Sequence, residues 1–286
     1  MAEGPGTLYV VGTPIGNLGD LGKRAEETLS IVDAVVAEDT RRTRALLSHL
    51  GIGRKPVVSL DANATERAVT DLAERLAGGE TLALVTDAGT PGVSDPGAKL
   101  VRAASLRGVP ITSVPGPSAV TAAVAVSGLV DGPFLFLGFL PRKGTKRAGM
   151  VAKIRASEFP VVLFEAPGRA DDTLRDLAQV MPDREACVAR ELTKVHEEVR
   201  RGTLAELAKA GITARGEFTI VVSRGADADG NAEEGPPDSD VDALIAERLE
   251  AGDSPRTVAT DVAARWNKPR REIYARVLEA ARRRGG

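Results

Sequence analysis

The chain has 286 residues, with 38 Lys and Arg against 40 Asp and Glu, a formal net charge of −2, and 43% hydrophobic residues. That is enough apolar material for more than one core, and the charge balance excludes a global basic field, so any nucleic-acid contact must come from local patches. A single cysteine, Cys187, excludes an intramolecular disulfide. Two histidines, His49 and His196, leave few soft metal ligands, and no uncharged apolar run approaches the ~20 residues of a membrane span.

In chain order, short β-branched runs alternate with helical patterns, as in βαβ units on a mostly parallel sheet. Strands are predicted at 7–12, 34–37, 57–60, 81–86 and 111–114, with helices at 23–31, 40–50, 64–77, 97–107 and 118–127. The rhythm changes after the Asp131-Gly-Pro133 hinge, giving an expected first α/β domain over 1–130 and a second, mixed α/β domain over 131–224. Strands are predicted there at 134–139, 161–164, 186–190, 195–200 and 217–223, with an antiparallel turn around Thr193 and Lys194.

The acidic, Gly/Pro-rich segment 225–240 reads as a linker, having almost nothing to bury. Beyond it, 241–286 is predicted as a small helix-turn-helix-like unit, with helices at 241–251, 254–266 and 268–284. Pro255 suits the first helical position after Ser254, and 267–269 suits a turn. From Ser254 onward nine Lys and Arg face three acids, a local balance of +6 that suits phosphate contacts or a solvated helix face.

Three Gly/Pro turns fall at carboxyl ends of predicted strands, where open α/β sheets place ligands: 12–18, 87–92 and 115–119. Their glycines admit a ligand close to the backbone, and Ser118 stands at a helix start. Gly12-Thr-Pro-Ile-Gly16 is not the dinucleotide fingerprint. A phosphate loop over 16–23 fails too, because its second glycine comes one residue late and Arg24 replaces the magnesium-holding hydroxyl. The loops therefore point to an adenosine-like ligand held by backbone and apolar contacts.

Seven motifs occur in order across 7–223: Gly-Thr-Pro-Ile-Gly-Asn-Leu at 12–18, Glu-Asp-Thr-Arg at 38–41, Asp-Ala-Gly-Thr-Pro at 87–91, Ser-Asp-Pro-Gly at 94–97, Pro-Gly-Pro-Ser-Ala at 115–119, Gly-Phe-Leu-Pro-Arg-Lys at 138–143 and Arg-Glu-Leu-Thr-Lys at 190–194. Together they resemble the tetrapyrrole-methylase superfamily, in its branch of bacterial 16S rRNA cytidine 2′-O-methyltransferases. The resemblance implies two α/β domains with S-adenosylmethionine in the cleft between them, a homodimer, and 16S rRNA of the small ribosomal subunit, at a decoding-centre cytidine, as substrate, while the single cysteine makes a reducing cytoplasm the expected location. It departs at 61–65, where the branch usually carries a His/Glu-rich segment and this chain has Asp-Ala-Asn-Ala-Thr.

By that resemblance the cofactor lies against Pro14, Asp87, Gly89, Thr90, Val93, Ser118, Ala119, Phe164 and Leu192. A sulfonium methyl is already activated, so transfer needs in-line placement and removal of one proton. Glu38, Asp39, Asp95, Glu165 and Glu191 are the candidate acceptors, and nothing in the sequence chooses among them. RNA contacts are expected from Arg41, Arg42, Arg44, Arg142, Lys143, Lys146, Arg147, Arg190 and Lys194, with 141–146 a mobile basic loop. No metal site is expected, and both histidines read as structural. The alternatives are C-methylation of a tetrapyrrole, and a non-catalytic ribosome-assembly factor built on the same scaffold.

Overall fold

A computed structural model describes residues 4–95, 97–212, 215–225, 238–251, 253–265 and 270–284. Residues 4–225 belong to one compact unit and the helices from 238 onward to a second. Most of the expected linker and the expected turn at 267–269 lie outside the described residues. Among the described residues, no helix is long and apolar enough to cross a membrane.

The first sheet contains β1 (Leu8–Val11), β2 (Ala34–Ala37), β3 (Val57–Ser59), β4 (Leu82–Val85) and β5 (Ile111–Val114). All five are parallel, in the order β3-β2-β4-β1-β5. β2 and β4 are buried at every position, as strands covered by helices on both faces must be. The covering helices are α1 (Lys23–Ile31), α2 (Thr40–His49), α3 (Glu66–Ala77) and α4 (Ala98–Ser105). Asp39 caps α2 by accepting the Arg41 amide at 2.8 Å, and Thr65 caps α3. The 61–65 segment that departs from the resemblance is thus a turn leading into a cap. β1 lies between β4 and β5, so the turns that leave these three strands emerge side by side.

α5 (Ala119–Ser127) follows β5 but packs on the second sheet. Its Val120 and Ala123 share a core with Ile15, Val162, Cys187, Ala189, Leu192 and Val221. The second sheet contains β6 (Leu135–Phe139), β7 (Val161–Glu165), β8 (Glu185–Arg190), β9 (Glu198–Thr203) and β10 (Phe218–Val222), ordered β6-β7-β10-β8-β9. It is mixed, as expected: β6 and β7 are parallel, and the remaining pairs are antiparallel.

β9 begins at Glu198, later than the predicted 195, because the turn at 191–197 claims Val195. Glu191 and Thr193 have positive φ of 51° and 68°, and the Thr193 amide donates to the Glu197 carboxylate at 2.5 Å. Val195, β-branched as it is, stands 96% exposed at the turn. Three helices of this region escaped the sequence reading: α6 (Thr145–Arg155), α7 (Ala170–Val180) and α8 (Leu204–Ala210). Their signals were present. Ala170, Thr173, Leu174 and Leu177 form a buried stripe on α7, and Thr203 with Glu206 makes a capping box before α8. Lys146, assigned to a basic loop, therefore lies in the first turn of α6.

The second unit holds α9 (Asp238–Glu250), α10 (Pro255–Arg265) and α11 (Arg270–Arg284), packed on Val241, Ile245, Val258, Val262, Ile273 and Val277. Ser254 Oγ accepts the Thr257 amide at 3.2 Å, which starts α10 where the sequence places it.

Candidate functional site

The three turns at the carboxyl edge of the first sheet are stapled to one another. Thr13 and Gly89 exchange both backbone hydrogen bonds, at 2.9 and 3.1 Å, and the Thr13 hydroxyl donates to the Thr86 carbonyl at 3.0 Å. Gly12 and Gly116 meet backbone to backbone: a Cβ on Gly12 would stand 2.7 Å from the Gly116 nitrogen. The same edge reaches the second sheet, since the Asn17 amide donates to Thr193 Oγ at 3.1 Å. The turn over 12–18 is thereby tied to the 191–197 turn.

These turns enclose a cavity of about 370 Å³ whose lining includes Asp87, Gly89, Thr90, Val93, Ser118, Ala119 and Phe164. Seven of the nine residues expected around the cofactor are thus brought together. The other two lie beside it. Pro14 lines an adjoining cavity of about 260 Å³ with Leu18, Arg42, Leu46, Thr86 and Asp87. Leu192 lines a cavity of about 30 Å³ with Ile15, Ala119 and Thr219. Arg42, Thr86 and Asp87 belong to the walls of both larger spaces.

Sequence reasoning missed Phe139, Ser94 and the strip Glu217, Phe218 and Thr219 on β10 and its approach. Phe139 enters the site through an irregularity in β6, where pairing with β7 shifts register between Phe136 and Phe139. Gly138, at φ 64°, makes that bend, and a Cβ there would meet Ser94 Oγ at 3.1 Å. The Phe139 ring lies 5.6 Å from Phe164, which packs edge-on to Phe136 at 4.8 Å. A register shift of this kind leaves no mark in sequence periodicity.

The five candidate carboxylates have different surroundings. Asp39 is held at the α2 start by the Arg41 side chain and amide, which pull its carboxyl down to about 2. Glu191 accepts from Lys194 at 2.8 Å and from the Glu217 amide at 2.9 Å, and the Lys194 hydrogen bond lowers its pKa. Neither lines the main cavity. Glu165 lines it, but its side chain is fully buried and accepts from the Thr173 hydroxyl at 2.6 Å, the Ala166 amide at 2.9 Å and Arg169 at 3.1 Å. Glu38 accepts from the Thr86 hydroxyl at 3.0 Å. Asp95 accepts the amides of Gly92 and Gly97 at 2.7 and 2.8 Å, both on Oδ1. Asp87, read as a cofactor ligand, accepts the Asp39 amide at 3.0 Å and faces Arg42 at 3.4 Å.

The basic residues divide in the same way. Arg142 and Lys143 are exposed and line a separate cavity of about 500 Å³, with Arg147, Arg169 and Arg175 also in its wall. Lys146 is exposed on α6, Arg41 pairs with Asp39, and Arg44 donates to the Thr40 hydroxyl. Three others have charges committed inside the protein. Arg147 is buried against Asp176 at 2.6 Å and Thr173 at 3.0 Å, Arg190 pairs with Glu198 at 3.0 Å, and Lys194 bridges Glu191 and Glu217.

Residues 7–208 match the family described as Tetrapyrrole (Corrin/Porphyrin) Methylases. The ribosomal RNA small subunit methyltransferase I of Xylella fastidiosa strain Temecula1 is 48% identical over 230 residues, covering 79% of this chain and 84% of that protein. The protein of the same name from Thermotoga maritima is 43% identical over 220 residues, 76% of this chain and 98% of its own. In fold the chain is similar to the uroporphyrin-III C-methyl transferase of Thermus thermophilus, solved in complex with S-adenyl homocysteine. That match has a TM-score of 0.54 at 19% identity and covers 76% of this chain and 97% of the other.

Proposed function

The chain belongs to the tetrapyrrole (corrin/porphyrin) methylase family, and from that premise we propose that it methylates the ribose 2′-hydroxyl of a decoding-centre cytidine in 16S rRNA. It is an S-adenosylmethionine-dependent methyltransferase of ribosomal RNA. The finer assignment to the 2′-oxygen of a cytidine rests on the ordered motifs of 12–194, and with it go a cytoplasmic location and a homodimer.

One observation above all supports the cofactor assignment, namely the charge and shape of the cleft. Its volume of about 370 Å³ falls in the range of roughly 300–1,000 Å³ typical of small-molecule sites. Glu38, Asp87 and Asp95 line it against a single guanidinium, Arg42, once Glu165 and Glu217 are set aside with their partners Arg169 and Lys194. Such a lining suits a ligand bearing a sulfonium and an ammonium against one carboxylate. Asp87 and Glu38 would hold the ammonium. The amides of Ser118 and Ala119, at the N-cap and first residue of α5, would receive the carboxylate, since helix-start amides have no partner within the helix. Phe164 and Phe139 supply apolar surface for the nucleoside. S-adenosylmethionine brings an activated methyl group, which leaves this chain to orient the acceptor, exclude water and take up one proton. Orientation alone is worth roughly 7–11 kcal/mol of barrier in favourable cases.

Arg142 and Lys143 lie outside the cleft, so their work is with the RNA backbone. The double variant Arg142→Ala, Lys143→Ala is expected to weaken binding to 30S subunits and to reduce the slope of log affinity against log salt by about 1 to 2. S-adenosylhomocysteine binding, measured by calorimetry, should be unchanged. Equal RNA affinity at matched salt would remove these residues from the interface.

The function itself is tested by incubating the protein with methyl-labelled S-adenosylmethionine and either 30S subunits or uroporphyrinogen. Label is expected in 16S rRNA and, after digestion to nucleosides, in 2′-O-methylcytidine. Label on a base would overturn the ribose assignment, label on uroporphyrinogen would favour the tetrapyrrole branch, and label on neither would favour an assembly factor.

A further inference from the structure

Among the described residues, one buried side-chain polar atom has no hydrogen-bond partner: Asp95 Oδ2. It belongs to a residue in the wall of the cleft. A buried polar group left unpaired loses the hydrogen bonds it had with water, and the loss is greater when the group is charged. The residue before it adds to that cost, because Ser94 is held at φ 64°, a conformation that side chains other than glycine rarely adopt. Two adjacent penalties in a ligand cleft call for a donor that arrives with the substrate.

The other acids around the cleft are already engaged. Glu38 has the Thr86 hydroxyl, Asp87 the Asp39 amide and Arg42, Glu165 the Thr173 hydroxyl and Arg169, and Glu217 has Lys194 at 3.0 Å. Beyond the cavity, Asp39 and Glu191 are each tied to a neighbouring cation. Asp95 differs because its two oxygens have separate tasks. Oδ1 ties the loop through the Gly92 and Gly97 amides, whereas Oδ2 is buried without a donor on a residue of the cleft wall. An ammonium, with three N–H groups, is better served by the acceptors of Glu38 and Asp87 than by one oxygen. A single hydroxyl needs one acceptor.

We propose that Asp95 Oδ2 accepts the proton of the acceptor hydroxyl during methyl transfer. The proposal rests on the methyltransferase function above. As the 2′-oxygen takes the methyl group, the new oxygen–carbon bond forms and the carbon–sulfur bond breaks with its electron pair left on sulfur. The hydroxyl proton passes to Oδ2, which ends as a neutral carboxylic acid and later releases the proton to water.

The substitution Asp95→Asn isolates this role, because the amide oxygen still accepts from Gly92 and Gly97 while the second oxygen becomes an NH₂ that cannot take a proton. Single-turnover methylation of 30S subunits at saturating S-adenosylmethionine is expected to fall by about 10²-fold or more, with S-adenosylhomocysteine and 30S affinities held within about threefold. Asp95→Glu, which restores a carboxylate on a longer stem, should recover part of the rate. Wild-type turnover in Asp95→Asn would overturn the proposal. So would a tenfold or greater loss of S-adenosylhomocysteine affinity, which would assign Oδ2 to the donor's ammonium. Failure of the wild-type protein to label ribose is a separate outcome, and it would overturn the choice of acceptor atom rather than the role of Asp95.

Discussion

Replacing Gly12 with alanine is expected to weaken S-adenosylhomocysteine binding by roughly 10- to 100-fold, because forcing a methyl group into a packed site costs about 1–3 kcal/mol and each 1.4 kcal/mol is about tenfold in affinity. The added methyl group would stand 2.7 Å from the Gly116 nitrogen and 2.8 Å from its Cα, and no flexible side chain is there to yield. One backbone must move. Either movement disturbs the cleft, because Gly12 precedes the Thr13–Gly89 staple and Gly116 precedes Ser118, the N-cap position of α5. The reciprocal change at Gly116 meets the Gly12 carbonyl oxygen at 2.8 Å and should do the same damage. Calorimetric titration of both variants provides the check. Wild-type affinity in either would mean that the two turns are not rigidly opposed.

Glu165 carries the second large effect, this time on stability. It lies at the end of β7 with its side chain fully buried, bound to Arg169 and Thr173. Thr173 in turn accepts from Arg147, which is paired with Asp176, while Arg169 also donates to the Leu140 carbonyl at 2.6 Å. One charged network thus fastens β7, α6, α7 and the end of β6. Glu165→Ala would leave a guanidinium and a hydroxyl without their acceptor, and removal of one partner from a buried pair costs about 3 kcal/mol or more. Chemical denaturation should show a loss of that size, with a smaller one for Glu165→Gln, which keeps one acceptor oxygen. A change below about 0.5 kcal/mol, the usual scale at surface sites, would show that the network contributes little. The pair also gives a contrast with Asp95: Glu165→Gln should lower stability while leaving methyl-transfer chemistry largely intact, and Asp95→Asn should do the reverse.

Both effects depend on pairings between residues far apart in the chain, and this marks how much of the site was legible in the sequence. The alternation of β-branched runs and helical stripes was enough to place the first sheet, because side-chain period and turn chemistry are local properties. Ser254 before Pro255 identified the start of α10 for the same reason. The ordered motifs led to the three turns around the main cavity and to seven residues of its wall, out of the nine expected around the cofactor. Val195 shows the limit of such local rules, since its β propensity yields to a turn set by Glu191, Thr193 and Glu197.

By itself, then, the sequence determined the α/β class, the sheet edge that carries the main cavity and the family, all of which follow from periodicity, turn residues and ordered motifs. Only the tertiary structure decided which charges are free. Arg147, Arg190 and Lys194 look no different in sequence from Arg142 and Lys143, yet the first three are neutralised by acids brought to them by folding. The five candidate carboxylates were likewise indistinguishable until their donors were in place, Thr86 for Glu38, Arg41 for Asp39, Arg169 for Glu165 and Lys194 for Glu191. A carboxylate acts according to the hydrogen bonds it lacks. That lack, at Asp95 Oδ2, is a property of the folded cleft alone.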